Sequence, residues 1–381
     1  MKFLPVFIAL ITVHAAGAQS FLKVHKRAVL IDSHNDILSE ATTKGMVMDE
    51  DLSGKTHSDL ARWKKGGLDV QFFSVFSDGT QPEPFKYAMR QIDTLHAVAL
   101  RNPDKIVEVA DSRALRKVVR RGKIAAMFGV EGGHQIEDNL SNIDSLFNEG
   151  VRYMTLTWNN STSWATSAFD ETFRKDLSRK GLTDFGKQVV QRMNKLGMIV
   201  DLSHVGEQTV ADVLAITSRP VMASHSSVYN LCPHQRNLKD DQIRAIAKNG
   251  GVIQVNFYSG FLDSNFMKRK AAFMERHKTE TDSLMANGMK DNLVESYLFG
   301  RYREEADSMR APFELLISHI DYLVKMVGAD HVGIGSDFDG IESPPLLLDD
   351  VTCYPLVTKA LIEKGYSRKE IRKILGGNML R

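Results

Sequence analysis

The stretch AVLIDSHND (residues 28–36) is an apolar run that ends in a histidine and an aspartate two positions apart, His34 and Asp36. In a strand, alternate residues point the same way, so an imidazole and a carboxylate at that spacing can face one cation. Alone, a His or Asp at a strand end serves equally well to hydrogen-bond a loop. The same grammar recurs, however. KIAAMFGVEGGH (123–134) delivers Glu131 where its apolar run stops, GMIVDLSH (197–204) ends at His204, and PVMASHSS (220–227) presents His225 ahead of two serines. Metal-ligand types at four separate strand ends predict one shared site at the C-terminal mouth of a (β/α)₈ barrel.

The number of ligands bears on the type of site. A single structural zinc takes four ligands and is closed, whereas five ligands including two carboxylates can hold two ions with water between them. Glu131 is the expected bridging carboxylate, His34 and Asp36 the ligands of one ion, and His204 and His225 those of the other.

Eight strand candidates cover residues 28–36, 70–76, 123–131, 151–158, 197–204, 220–226, 250–257 and 331–337. Most are nearly continuous runs of Val, Ile and Phe, as parallel strands covered by helices require. Helical patterns fill the intervals. In TDFGKQVVQRMNKLG (183–197), Val189, Val190, Met193 and Leu196 form an apolar stripe, Thr183 can cap the start and Gly197 the end. In DDQIRAIAKNGG (240–251), Asp240 or Asp241 opens a helix that Asn249–Gly251 closes. Ligands drawn from strands 1, 3, 5 and 6 favour a closed barrel over an open sheet, whose ligands concentrate at one crevice. The 381 residues suffice for one barrel with insertions, the largest being a charged helical segment between strands 7 and 8, from about Tyr258 to Glu305.

At the N-terminus, Lys2, the apolar stretch Phe3–Val13 and Ala16 and Ala18 in cleavage spacing read as a signal peptide over residues 1–18, leaving a single domain over 19–381. No cysteine follows for a lipid anchor and no apolar tail ends the chain, so an exported, periplasmic or extracellular protein is expected, without a transmembrane segment. Two cysteines, Cys232 and Cys353, make no disulfide framework, and 49 basic against 47 acidic residues give no sign of nucleic-acid binding.

Two further residues turn a metal site into an expected enzyme. Asp337, in HVGIGSDFDG (331–340), ends the last strand and can pass a proton from water to a leaving nitrogen; Asp339 is the competing carboxylate. Arg236, in CPHQRNLKDD (232–241), can meet a substrate anion or form a surface ion pair. Neither cysteine has a triad context and SHSS shows no nucleophile-elbow pattern, so a metal-activated water is the expected nucleophile.

The chain resembles the membrane (renal-type) dipeptidases, peptidase family M19 of the amidohydrolase superfamily. The resemblance rests on IDSHNDIL (31–38), GVEGGH (129–134), RYMTLTW (152–158), DLSHVG (201–206), SHSSVYNLCPHQRN (224–237), VNFYSGF (255–261), GSDFDG (335–340) and ILGGNMLR (374–381). It implies a binuclear zinc hydrolase cleaving dipeptides, including those with a C-terminal D-residue, and a homodimer. It also implies His34 and Asp36 on one Zn²⁺, His204 and His225 on the other, Glu131 bridging, Asp337 as proton shuttle, and Arg236 on the substrate carboxylate. Asn256, in VNFYSGF, joins the expected substrate-binding residues. The chain departs from the family at Trp158, where a histidine commonly follows TLT; an indole can donate one hydrogen bond but cannot carry charge. Asn159 and Asn160 are candidate replacement donors. The departure leaves two alternatives open, an amidohydrolase acting on N-acyl amino acids or another small amide, and a metal-binding protein without catalysis.

Overall fold

The apolar runs form short parallel strands whose ends carry the chemistry. The computed structural model describes residues 21–381, side chains of residues 291 and 292 excepted; the expected signal peptide at 1–18 lies outside the described residues. The strands are β1 (Ile31–Asn35), β2 (Val70–Phe76), β3 (Ile106–Glu108), β4 (Ile124–Glu131), β5 (Val151–Thr155), β6 (Ile199–Asp201), β7 (Met222–Ala223), β8 (Val252–Val255) and β9 (Val332–Ile334). Eight of them pair side by side, all parallel, in the order β1-β2-β4-β5-β6-β7-β8-β9. A parallel bridge between Asn35 and Phe338 joins the first to the last. Beneath that seam the buried Asp32 carboxylate accepts Ser336 N–H at 2.9 Å and the hydroxyls of Ser336 and Tyr354. This is the expected (β/α)₈ barrel.

The additional strand, β3, pairs with β4 over Ile124–Ala126, below the stretch Phe128–Glu131 that pairs with β5, while β2 occupies the other edge of β4 along its length. Three residues are too few for a periodicity signal, and sequence reasoning passed over them. β6 and β7 are shorter than the expected 197–204 and 220–226. Their ladder ends because the Asp201 carboxylate captures the backbone N–H groups of Ser203 (3.1 Å) and Ser224 (2.7 Å), a side-chain competitor for sheet hydrogen bonds.

Period-two alternation sorts the strand residues. Val70, Phe72, Ala125, Met127 and Tyr153 share one cluster inside the barrel, whereas Phe73, Val75, Ala126, Phe128 and Val130 belong to the larger core beneath the helices. Gly129 continues the inward column of β4, and a Cβ there would lie 1.9 Å from Tyr153 Cζ, so the glycine is the space in which the tyrosine stands.

The helices follow their predicted signals. Thr183 Oγ1 caps Asp184–Leu196 by accepting Gly186 N–H, and Gly197 ends it in the left-handed region at φ 82°. Asp240 opens the helix Asp240–Lys248 as expected; its N-cap is Lys239, whose N–H is taken by Gln242 Oε1 at 2.9 Å. Between β8 and β9 the insertion forms five helices, the last ending at Ser308. It has a core of its own from Phe266, Phe273, Val294, Leu298, Phe299, Ala306 and Met309. Both cysteines are free thiols. Among the described residues no helix is long and apolar enough to cross a membrane.

Candidate metal centre

The four strand ends do converge. Glu131, last residue of β4, turns Oε2 toward His34 Nε2 (3.2 Å) and Oε1 toward His204 Nε2 (2.9 Å) and His225 Nε2 (3.6 Å). His34 Nε2 also lies 3.3 Å from Asp36 Oδ2 and 4.0 Å from Asp337 Oδ1. The two remaining imidazoles, His204 and His225, bring their Nε2 atoms to 3.1 Å of each other. All of these groups are buried except Asp337, which is partly buried.

Hydrogen bonds behind each ring fix its tautomer. Tyr153 OH donates to Ser33 O at 3.0 Å, which leaves its oxygen to accept His34 Nδ1–H at 2.8 Å. Ser224 Oγ donates to Asp201 Oδ2 at 2.6 Å and so accepts His225 Nδ1–H at 2.8 Å. Asn159 Oδ1 accepts His204 Nδ1–H at 3.1 Å. His204 and His225 keep their hydrogen on the outward nitrogen and aim Nε2 lone pairs into a cavity already holding carboxylate oxygens, and His34 turns its Nε2 to the same cavity. Lone pairs about 3 Å apart repel unless a cation lies between them, and that is the separation of ligands sharing one cation at bonds of about 2.0–2.2 Å. The imidazole and carboxylate donors therefore fit zinc.

The electrostatics agree. Burial holds His204 at about 3 and His225 well below its ordinary value, so both stay neutral. Burial alone would also lower His34, but Tyr153, Asp36 and Glu131 together carry it well above the usual range, marking the spot between those carboxylates as the one that attracts positive charge. Glu131, which burial would raise, is held well below the usual range by His34 and His204. Asp337 goes the other way, pushed well up by burial and by Asp36 and Glu131.

His204 (φ 64°) and Asp337 (φ 62°) both occupy the left-handed region, a strained backbone for non-glycine residues that turns their side chains off the strand line. Asp337 N–H donates to His34 O at 3.2 Å, and Asn256 Nδ2 donates to Asp337 Oδ2 at 2.8 Å. Gly340 packs against the same carboxylates: a Cβ would fall 2.3 Å from Asp36 Oδ2. Asp339 faces away, accepting His57 N–H at 2.6 Å, the Ser58 hydroxyl and Asn35 Nδ2.

Arg236 is buried, not a surface ion pair. Its Nη2 donates to His225 O at 3.3 Å, its Nε finds no partner, Phe261 lies 5.3 Å below the guanidinium, and burial lowers it to about 10. Among the described residues it pairs with no carboxylate. Trp158 stands beside His204, ring centroids 6.3 Å apart, and edge-on to Phe76 at 5.0 Å. Of the two asparagines that follow, Asn159 is committed to orienting His204 and Asn160 buries an unpartnered Oδ1. Sequence reasoning missed the orienting residues Tyr153, Ser224 and Asp201, and gave Asn159 another role, that of a replacement donor. Only Tyr153 carried a usable signal, inward parity on β5 opposite a glycine on β4.

Comparison with known proteins agrees with this geometry. Residues 18–381 match the family model for membrane dipeptidase, peptidase family M19. An uncharacterized dipeptidase of Schizosaccharomyces pombe is 33% identical over 383 residues, covering 95% of this chain and 82% of that protein. The crystal structure of the probable dipeptidase PvdM from Pseudomonas aeruginosa is 27% identical, with a TM-score of 0.79 over 96% of this chain and 97% of that one. A metallopeptidase from Rhodobacter sphaeroides, solved with a phosphinate mimic of L-Ala-D-Ala, shares the fold with a TM-score of 0.75 at 22% identity, covering 93% of this chain and 97% of that one. With its buried cluster of imidazoles and carboxylates on a barrel of this kind, the chain belongs to the membrane dipeptidase family, M19.

Proposed function

We propose that the protein is a zinc-dependent dipeptidase that binds two Zn²⁺ ions and accepts dipeptides with either an L- or a D-residue at the C-terminal position. The observation that carries the reading is the pair of oxygens of Glu131, one facing His34 and the other facing His204 and His225. His34 and Asp36 would hold one ion, His204 and His225 the other, with Glu131 shared. Bound there, the ions supply Lewis acidity that acidifies a water and polarises the amide carbonyl.

The remaining work falls to the chain's own groups. Arg236, a buried guanidinium with an unused Nε–H, takes the substrate's terminal carboxylate and thereby sets the scissile amide over Glu131. Asn256 Nδ2 holds Asp337 Oδ2, leaving Oδ1 free to accept a proton from the attacking water and return it to the amide nitrogen as the bond breaks. A carboxyl whose proton affinity is raised by burial and by neighbouring acids is suited to that relay.

Export rests on the signal-peptide pattern at residues 1–18, and assembly as a homodimer on the family resemblance alone. The decisive assay measures turnover of L,L and L,D dipeptides against N-acetyl amino acids, alongside zinc per chain. Dipeptide cleavage that is lost on chelation and restored by about two zinc equivalents is expected. Cleavage of N-acyl amino acids alone would favour the other amidohydrolase chemistry, and no turnover by fully loaded protein would favour a binding role.

A further inference from the structure

We propose that Trp158 and Phe76 form the wall that selects the N-terminal side chain of the substrate, and that the preferred dipeptides carry an aromatic or large apolar residue there. The inference rests on the dipeptidase reading above. The strand order fixes which groups face each other across the mouth: β2, which ends in Phe76, is diametrically opposite β7, whose following loop carries Arg236. A substrate whose carboxylate sits on Arg236 and whose amide lies over Glu131 therefore directs its N-terminal residue to the arc of β2, β4 and β5.

That arc carries two aromatic rings, while a third, Phe261, lies across the mouth against Arg236. Phe76 and Trp158 flank β4, their ring centroids 5.0 Å apart in an edge-on contact, and the indole continues to His204 at 6.3 Å. Both rings are half-buried, whereas Trp63 and Trp164 are buried to 0% and 1% exposure. Neither ring joins any of the hydrophobic clusters that make the core. Two aromatic side chains that the fold does not use for its core, held at the rim of a site lined with carboxylates and imidazoles, present apolar area to a ligand. Rings so placed bind an apolar or aromatic side chain by stacking and water exclusion, and offer nothing to an anionic one.

The test compares kcat/KM for Phe-Ala, Leu-Ala, Gly-Ala and Asp-Ala with the zinc-loaded enzyme and with the Trp158→Ala and Phe76→Ala variants. Phe-Ala and Leu-Ala are expected to exceed Gly-Ala about tenfold or more, the weight of one buried apolar side chain. In either variant the Phe-Ala to Gly-Ala ratio should fall at least fivefold. A flat profile in the native enzyme, or an unchanged ratio in both variants, overturns the proposal and leaves the dipeptidase reading intact. Failure to cleave any dipeptide overturns both. Should the variants not fold, product inhibition of the native enzyme decides: stronger inhibition by free L-phenylalanine than by glycine supports the wall, and equal inhibition refutes it.

Discussion

Glu131 divides its two oxygens between His34 and His204, at 3.2 and 2.9 Å, so one carboxylate ties the first barrel segment to the fifth. Glu131→Gln keeps the shape and removes the charge. It is expected to weaken zinc binding by more than about 100-fold, the upper effect of disturbing a mere outer partner. Zinc per chain after dialysis should drop from two to one or none; retention of two ions would deny Glu131 the shared position.

The proposed proton relay separates Asp337 from metal holding, its Oδ2 being engaged by Asn256. Asp337→Asn should retain zinc and KM while kcat drops by about 10²- to 10⁴-fold, the range for loss of a general acid–base group. A change of less than a few fold would remove it from the proton path.

Arg236 invites opposite effects on activity and stability. Arg236→Met removes the group proposed to bind the substrate carboxylate, and KM should rise by about 10- to 100-fold, as for a charge-assisted bond of about 1.5–3 kcal/mol. The same change replaces a buried cation that has no carboxylate partner among the described residues, so Tm of the substrate-free protein should rise. A lowered Tm together with an unchanged KM would mean that Arg236 is structural.

His319 supplies a pH dependence remote from the site. Its ring is fully buried, Nδ1 accepting Val228 N–H at 3.0 Å and Nε2–H donating to Leu262 O at 3.1 Å, and burial lowers it to about 4. The unfolded chain takes up this proton near the ordinary value of about 6.5, the folded one only near 4, so the contribution is complete above about 6.5 and is lost as pH falls toward 4. At about 1.4 kcal/mol per unit this amounts to as much as about 3 kcal/mol. Urea unfolding of His319→Gln against the native protein should show a shallower loss of stability between those pH values; parallel curves would exclude it.

Much of the barrel was legible because its strands are buried on both faces and spell themselves as apolar runs, with His34, Glu131, His204 and His225 standing where hydrophobicity stops. The candidate ligands could be found without knowing where any of them points. Their orientation was not legible, because it depends on partners from other strands: Tyr153 reaches His34 only through the gap at Gly129, and Ser224 orients His225 only because Asp201 takes its hydroxyl proton. The left-handed turns at His204 and Asp337 leave no trace in composition. Asn159 looked like a donor for the substrate and is instead an acceptor for His204 Nδ1–H.

The segment Lys373–Gly377 and the residues just beyond it lock the barrel from below. Gly376 lies so close to the start of the first strand that a Cβ would stand 2.4 Å from Val29 O, and Asn378 Nδ2 donates to Ala329 O (2.6 Å) and Val332 O (2.8 Å). The ribosome has therefore made every candidate metal ligand long before it makes the latch that secures the ring. A nascent chain halted short of residue 378 would carry those side chains without the amide that ties Ala329 and Val332 to the C-terminal segment.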